Sequence, residues 1–228
     1  MTRVLHGQDD KESSDRIEKE RNRLLADAAV IDVEDFGAGS GLITTKKRKV
    51  GAIAATSLKP SKYAKLLSRM VKHYQPKTIV DIGTSLGTTT SYLAVGNKKA
   101  QVITHEGAEQ IAAIAETVFK SLQLQNIQMK KGSFERTLPE TIASLSSIDF
   151  AFVDGNHRRI PTWNYFEQIL QKSHENSIIV FDDIHWSAEM EQVWEDIKAH
   201  PSVTMSIDLF FIGIVFFKKD FKVTQHFT

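Results

Sequence analysis

The stretch from Thr78 to Ala94 constrains this chain more than any other. It begins as a short apolar strand, Thr78 to Ile82, and turns through Gly83 and Gly87. It then continues with Leu86, Leu93 and Ala94 at helical spacing. Glycines at such a turn let a ligand approach the backbone, with a helix N-terminus behind it. A dinucleotide fold shares this layout, but its fingerprint needs glycine at the middle and third positions of the turn. Here those positions are Ser85 and Thr88. Asp81 stands two residues before the first glycine, where a carboxylate repels phosphate and suits a ligand carrying positive charge.

The rest of the chain alternates strands and helices around this turn. Residues 13–30 carry Ile17, Leu24, Leu25 and Ala28 at helical spacing and predict an amphipathic helix. Val30 to Gly41 offers a second glycine-rich run, but the residues after it are polar and basic, and no strand with a terminal acid follows at the right distance. It is read as a flexible loop leaning over the site, and the basic run Lys46 to Lys49 as a solvated face. Tyr63, Leu66, Leu67, Met70, Val71 and Tyr74 then mark a helix that Pro76 closes. Ala100 to Glu106 is a strand ending in an acid, and a carboxylate there can accept both hydroxyls of a ribose.

Three more strands are predicted before the end of the parallel part: Ile127–Lys131, Ser147–Asp154 and Ser177–Phe181. The first leads into Gly132-Ser133-Phe134, where Ser133 is either a helix N-cap or a contact to an adenine, with Phe134 packing beside it. The others lead into Asp154-Gly155-Asn156-His157 and Asp182-Asp183. Val203 to Phe217 holds two further strands with a turn near residues 208–211, and too few residues remain between them for a crossover helix. Those two strands must be antiparallel.

A length of 228 residues with 41% apolar and 25% charged residues suits a globular domain with a full core. The net charge of +1 argues against a nucleic-acid partner. Absence of cysteine excludes disulfides, thiolate metal sites and cysteine nucleophiles. No apolar run approaches a membrane span, so the expectation is a cytoplasmic protein without a membrane partner.

From about Pro76 to Phe217 the sequence resembles the class I S-adenosylmethionine-dependent methyltransferases, O-methyltransferase branch, the group of catechol O-methyltransferase and the cephalosporin hydroxylase-like methyltransferases. The resemblance rests on Asp81, Gly83 and Gly87, on the acids at strand ends, and on the terminal antiparallel pair. It implies an α/β, Rossmann-like sheet of seven strands, the last antiparallel, with helices on both faces and an N-terminal helical extension. The expected organisation is residues 1–59 as extension and loop, and 60–228 as the cofactor-binding domain. The implied cofactor is S-adenosylmethionine, held by Asp81, Gly83, Ser85, Gly87, Glu106, Gly107, Ser133, Phe134 and Asp154. The implied partner is a small-molecule acceptor, and a homodimer is the assembly considered.

In that branch, an aspartate ending the fourth strand and an acidic pair or Asp-Asn ending the fifth hold a divalent metal; Asp154, Asp182 and Asp183 stand in those places. Three carboxylates on neighbouring strand ends would also repel one another unless a hard cation such as magnesium joined them. Catechol-type enzymes carry a lysine base three residues after the first aspartate, whereas this chain has His157. His157 and Asp154 are therefore the candidate catalytic residues. Base methylation is not expected, because Asp154-Gly-Asn-His157 lacks the Pro-Pro-aromatic run of amino-group methyltransferases. Trp163 and Trp186 follow the two acidic loops and are read either as acceptor-site walls or as core. The competing functions are a nicotinamide-dependent oxidoreductase, disfavoured by Ser85, Asp81 and the antiparallel ending, and a non-catalytic binding protein of the same fold.

Overall fold

The computed structural model describes residues 2–5, 7–35 and 44–228. In chain order the elements are α1 (Thr2–Leu5), α2 (Lys11–Leu25), β1 (Val30–Asp35), β2 (Thr44–Lys49), α3 (Val50–Ser57) and α4 (Ser61–Tyr74). The alternating part follows: β3 (Thr78–Ile82), α5 (Thr88–Gly96), β4 (Gln101–Glu106), α6 (Glu109–Ser121), β5 (Ile127–Lys131), α7 (Phe134–Ser144), β6 (Ile148–Val153), α8 (Arg159–Leu170), β7 (Ser173–Asp182) and α9 (Ala188–Lys198). Strands β8 (Met205–Asp208), β9 (Ile212–Phe216) and β10 (Gln225–Phe227) end it. The chain divides into two compact units, residues 1–77 with 84–134 and residues 78–83 with 135–228.

The strand order is β10-β8-β9-β7-β6-β3-β4-β5. Parallel pairing joins β3 to β6, β6 to β7 and β4 to β5, while β9 runs antiparallel to both β7 and β8. Seven of these strands, β3 to β9, match the expected plan, with β9 the antiparallel one. The three-residue β10 adds an eighth, parallel to β8. No helix among the described residues is long and apolar enough to cross a membrane.

In the first unit, α2 is capped by Asp10, whose carboxylate accepts the Ser13 amide at 3.3 Å. Its apolar face buries Ile17 and Leu24 in one cluster with Val50, Ile53 and Ala54 of α3, Ala64 of α4, Leu86, Tyr92 of α5, and Ile111 and Val118 of α6. Each buried Val, Leu or Ile side chain among them contributes about 1.5–3 kcal/mol. A buried polar contact reinforces the docking: the Tyr92 hydroxyl donates to Glu18 of α2 at 2.8 Å, and Ser61 does so at 2.9 Å. Burial, then the bond to Glu18, raises the Tyr92 phenol well above its ordinary range.

The reading of residues 30–41 as a loop needs correction for its first part. Val30–Asp35 is a strand paired antiparallel with Thr44–Lys49, in register Ile31↔Arg48 and Asp32↔Lys47. Ile31 and Val33 pack on the core cluster, and the Asp32 amide donates to Gln110 of α6 at 3.0 Å. Lys47, Arg48 and Lys49 are exposed, as a solvated face requires, but they form a strand. The glycines at 37, 39 and 41 lie outside the described residues. The expected helical extension is thus two helices, a hairpin and a third helix.

In the second unit the strands are almost entirely apolar and buried: Ile79, Val80 and Ile82; Phe150 to Val153; Ile178 to Phe181; Ile212 to Phe216. Such runs are what strands covered on both faces require. Trp194 of α9 lies against β9 at Gly213, where a Cβ would stand 2.7 Å from the indole.

Candidate active site

In the first unit the turn between β3 and α5 is built on hydrogen bonds. The Thr84 amide donates to the His105 carbonyl at 3.0 Å, and the Thr84 and Thr104 hydroxyls meet at 2.6 Å. Ser85 adopts φ 48°, and its amide donates to Glu106 Oε2 at 2.8 Å. The Ala108 amide donates to the other carboxylate oxygen at 2.9 Å. Glu106, at the end of β4, is thus oriented by the loops on either side of it. Burial raises its pKa above the ordinary 4.5, and the backbone donors of Ala108, Ser85 and Gly107 oppose that shift. Of about four lone-pair sites on the carboxylate, these three amides leave about one for a further donor.

Gly87 has a packing role in the turn. It is buried, sits at φ 83°, and caps the N-terminus of α5. A Cβ there would stand 2.7 Å from the Phe119 ring and 3.0 Å from Ala115. The missing side chain lets α6 approach the loop. Ser85 and Gly107 are half-buried, as are Ser133 and Phe134 at the start of α7.

The second unit carries the other acids. Asp81 is 1% exposed in β3, opposite Phe152. Gly83 sits at φ 99°, and a Cβ there would lie 2.0 Å from the Asp154 carbonyl oxygen. The Asp154 amide donates to the Ile82 carbonyl at 2.8 Å. These contacts fix the ends of β3 and β6 side by side, so Gly83 is required by the fold before any ligand arrives. Beyond Asp154, Asn156 and His157 take φ 69° and 34°, a tight left-handed turn. It returns His157 Nε2 to 3.5 Å from Asp154 Oδ1. The two candidate catalytic residues are therefore together.

The expected metal cluster is not formed. Among the described residues, no group of three or more His, Asp or Glu side chains could hold a metal ion. Asp182 is 2% exposed at the last position of β7, whereas Asp183 lies beyond it at φ 51°, its amide donating to the Phe211 carbonyl at 2.7 Å. Asp154, Asp182 and Asp183 are thus not gathered into one such group. These residues do not fit a divalent metal, and no chemical step is derived through one.

One arrangement escaped the sequence reading. His185 Nε2 lies 2.8 Å from Asp208 Oδ2, which also accepts from Trp194 Nε1 at 3.2 Å. Burial alone would raise the Asp208 carboxyl, but bonds from His185, the Phe210 amide and Trp194 hold it below its ordinary range. Residues 23 apart carry no local signal for this pair. Nearby, Trp186, Phe210 and Phe211 are 73%, 64% and 46% exposed. Trp163 is instead a packing residue, 5.6 Å from Phe166 and 6.1 Å from His200 between ring centroids.

Residues 80–184 match a family model described as a methyltransferase domain. No curated protein matches the sequence. Among solved structures, a putative O-methyltransferase from Klebsiella pneumoniae is similar over 95% of this chain and 93% of its own, at 18% identity and TM-score 0.65. An O-methyltransferase from Bacillus cereus, in complex with S-adenosylhomocysteine, is similar over 93% of both chains at 20% identity and TM-score 0.65. The O-methyltransferase TomG from Streptomyces achromogenes, in complex with S-adenosylmethionine, shares 20% identity over 71% of this chain and 82% of its own, with TM-score 0.61. The resemblance read from the sequence is met at the level of the fold: residues 80–184 match the model of a methyltransferase domain, and the chain shares the fold of these solved O-methyltransferases.

Proposed function

We propose that the protein transfers a methyl group from S-adenosylmethionine to a hydroxyl of a small molecule. The observation that carries this is Glu106, a partly buried carboxylate oriented by the Ser85 and Ala108 amides beside the glycine turn. A ribose diol is a hydrogen-bond donor, and Glu106 keeps acceptor capacity beyond its backbone amides. Ser85 and Gly107 flank that carboxylate, and Ser133 and Phe134 supply the adenine contacts. Asp81, with Asp154, offers negative charge to the positively charged end of the cofactor, and Gly83 leaves the turn bare. Gly87 acts on the cofactor indirectly, by letting the loop pack on α6.

When bound, the cofactor supplies an electrophilic methyl group on a sulfonium. The chain's part is alignment and removal of the acceptor's proton. His157 is the proton acceptor in this reading, with Asp154 Oδ1 at 3.5 Å fixing its ring. Trp186, with Phe210 and Phe211, gives the acceptor an apolar surface beside the ends of β7 and β8. The proposed division of labour assigns residues 60–228 the chemistry and residues 1–59 a supporting role.

Calorimetry against S-adenosylhomocysteine and NAD tests the cofactor assignment. Binding of the first and not the second is expected, and the reverse would restore the oxidoreductase. Transfer of labelled methyl into a panel of hydroxyl compounds tests the reaction. His157→Ala should lower the maximal rate by roughly 10²–10⁴-fold while keeping S-adenosylhomocysteine affinity. Full turnover in that variant removes His157 from the mechanism.

A further inference from the structure

Trp163 is half-buried: it gives part of its surface to Phe166 and His200 and lines a cavity with the rest. The cavity holds about 500 Å³ between α8 and the end of α9. Ile160 and Trp163 line it from α8, and Ala199, His200 and Pro201 from the residues that follow α9. It shares no residue with the candidate active site. A volume of about 300–1,000 Å³ with apolar walls and a few polar groups is the usual form of a small-molecule site.

Hydrogen bonding decides which polar groups a ligand would meet there. His200 Nδ1 accepts the Ser202 amide at 3.2 Å, so the neutral ring carries its proton on Nε2, which faces Glu167 at 3.6 Å. His200 therefore offers ring surface and no free nitrogen. Arg159, also on the cavity, donates from two nitrogens to one oxygen of Asp196, Oδ2, at 3.0 and 2.8 Å. Asp196 Oδ1 keeps its acceptor capacity, and the side chain is 37% exposed.

Arg159 keeps donors as well, so the surrounding charge sets the sign of the ligand. The charges of Arg159 and Asp196 cancel, as do those of Lys198 and Glu195, 2.7 Å apart. Glu189, which accepts the Arg159 amide at 3.1 Å, and Glu167 remain. Among the described residues, neither is ion-paired with a lysine or arginine. The last carbonyls of α9 add partial negative charge. This field repels an anion and attracts a cation. The indole of Trp163 favours the same sign, since tryptophan is the best of the aromatic faces for a cation.

We propose that this cavity is a second ligand site, and that it takes a planar aromatic amine in its ammonium form. The ring of the ligand lies against Trp163 and Ile160, and its ammonium donates to Asp196 Oδ1. The site stands apart from the methyl-transfer reading and uses none of its residues.

Calorimetry on the full chain tests this with two molecules of like shape and opposite charge, tryptamine and indole-3-propionate. Tryptamine should bind the wild type more tightly than indole-3-propionate by about tenfold or more. Trp163→Ala should weaken tryptamine binding by about tenfold, and Asp196→Asn should bring the two affinities together. Ile160 is 72% exposed, so Ile160→Lys spares the core while placing a cation at the cavity, and it should weaken tryptamine as much. That variant decides the matter if a thermal melt shows Trp163→Ala to be unfolded. Equal affinity for the two molecules, or tighter binding of the anion, would overturn the proposal. So would tryptamine affinity unchanged in Ile160→Lys or in folded Trp163→Ala, or no binding of tryptamine to the wild type.

Discussion

Replacing Glu106 by Gln is the sharpest test of the cofactor site, because the structure allows its cost to be worked out in parts. The carboxylate accepts the Ser85 amide on one oxygen and the Ala108 amide on the other, at 2.8 and 2.9 Å. A carboxamide has one acceptor and one donor end, so one of these amides loses its partner and faces an N–H instead. Leaving a buried donor unpaired costs about 1–3 kcal/mol of stability. For a chain of this size, each kcal/mol lowers the melting temperature by about 2–4 °C. The ribose loses one charge-assisted acceptor as well, worth about 1.5–3 kcal/mol, so the dissociation constant of S-adenosylhomocysteine should rise roughly 10–150-fold. Calorimetry reads the second number, and a thermal melt without ligand reads the first.

The two must move together. A variant that melts lower yet binds S-adenosylhomocysteine as the wild type does would make Glu106 a scaffold for the turn and nothing more. The pH dependence gives an independent check. Burial lifts the Glu106 pKa above 4.5, the ordinary value expected in the unfolded chain. The folded state therefore binds more protons than the unfolded state between 4.5 and the raised value, and across that window this group's contribution to stability falls as pH rises. Ligand binding has the opposite sign. Ribose needs the ionised carboxylate, so affinity should fall on acidification while the pH is still above 4.5. The Glu106→Gln variant should lose that dependence.

Gly83→Ala should lower the melting temperature more than Gly87→Ala. The first places a Cβ 2.0 Å from backbone, the Asp154 carbonyl, and the second 2.7 Å from the Phe119 ring, a side chain that can shift. Both also incur about 1–3 kcal/mol for a left-handed conformation. Equal melting of the two variants would contradict this account of the turn. Excess chelator should leave methyl transfer unchanged, since the acids near the strand ends do not converge. A rate lost to chelation and recovered with magnesium or manganese would show that they gather around an ion after all.

The alternation of strand and helix after Pro76, the glycine turn and the acids closing β3, β4, β6 and β7 were all legible in the sequence. They depend on local periodicity and on which residue ends an apolar run, and both are written within a few positions of each other. The antiparallel ending was legible for a similar reason: the gap between residues 208 and 212 is too short for a crossover. Tertiary structure decided the rest. Residues 44–49 do not read as a strand, because two threonines and four basic side chains carry no apolar alternation, and their pairing with Val30–Asp35 depends on a partner across an intervening segment. That Gly87 also packs against Phe119, thirty-two positions away in sequence, could not be read from the turn itself. Asp182 and Asp183 looked like two ligands of one ion with Asp154 because all three close strands, yet in space they form no such group. The cavity beside Trp163 is lined from α8 and from the residues after α9, which meet in space and not in sequence. Sequence fixes chemistry wherever the relevant distance is along the chain, and packing fixes it wherever that distance is through space.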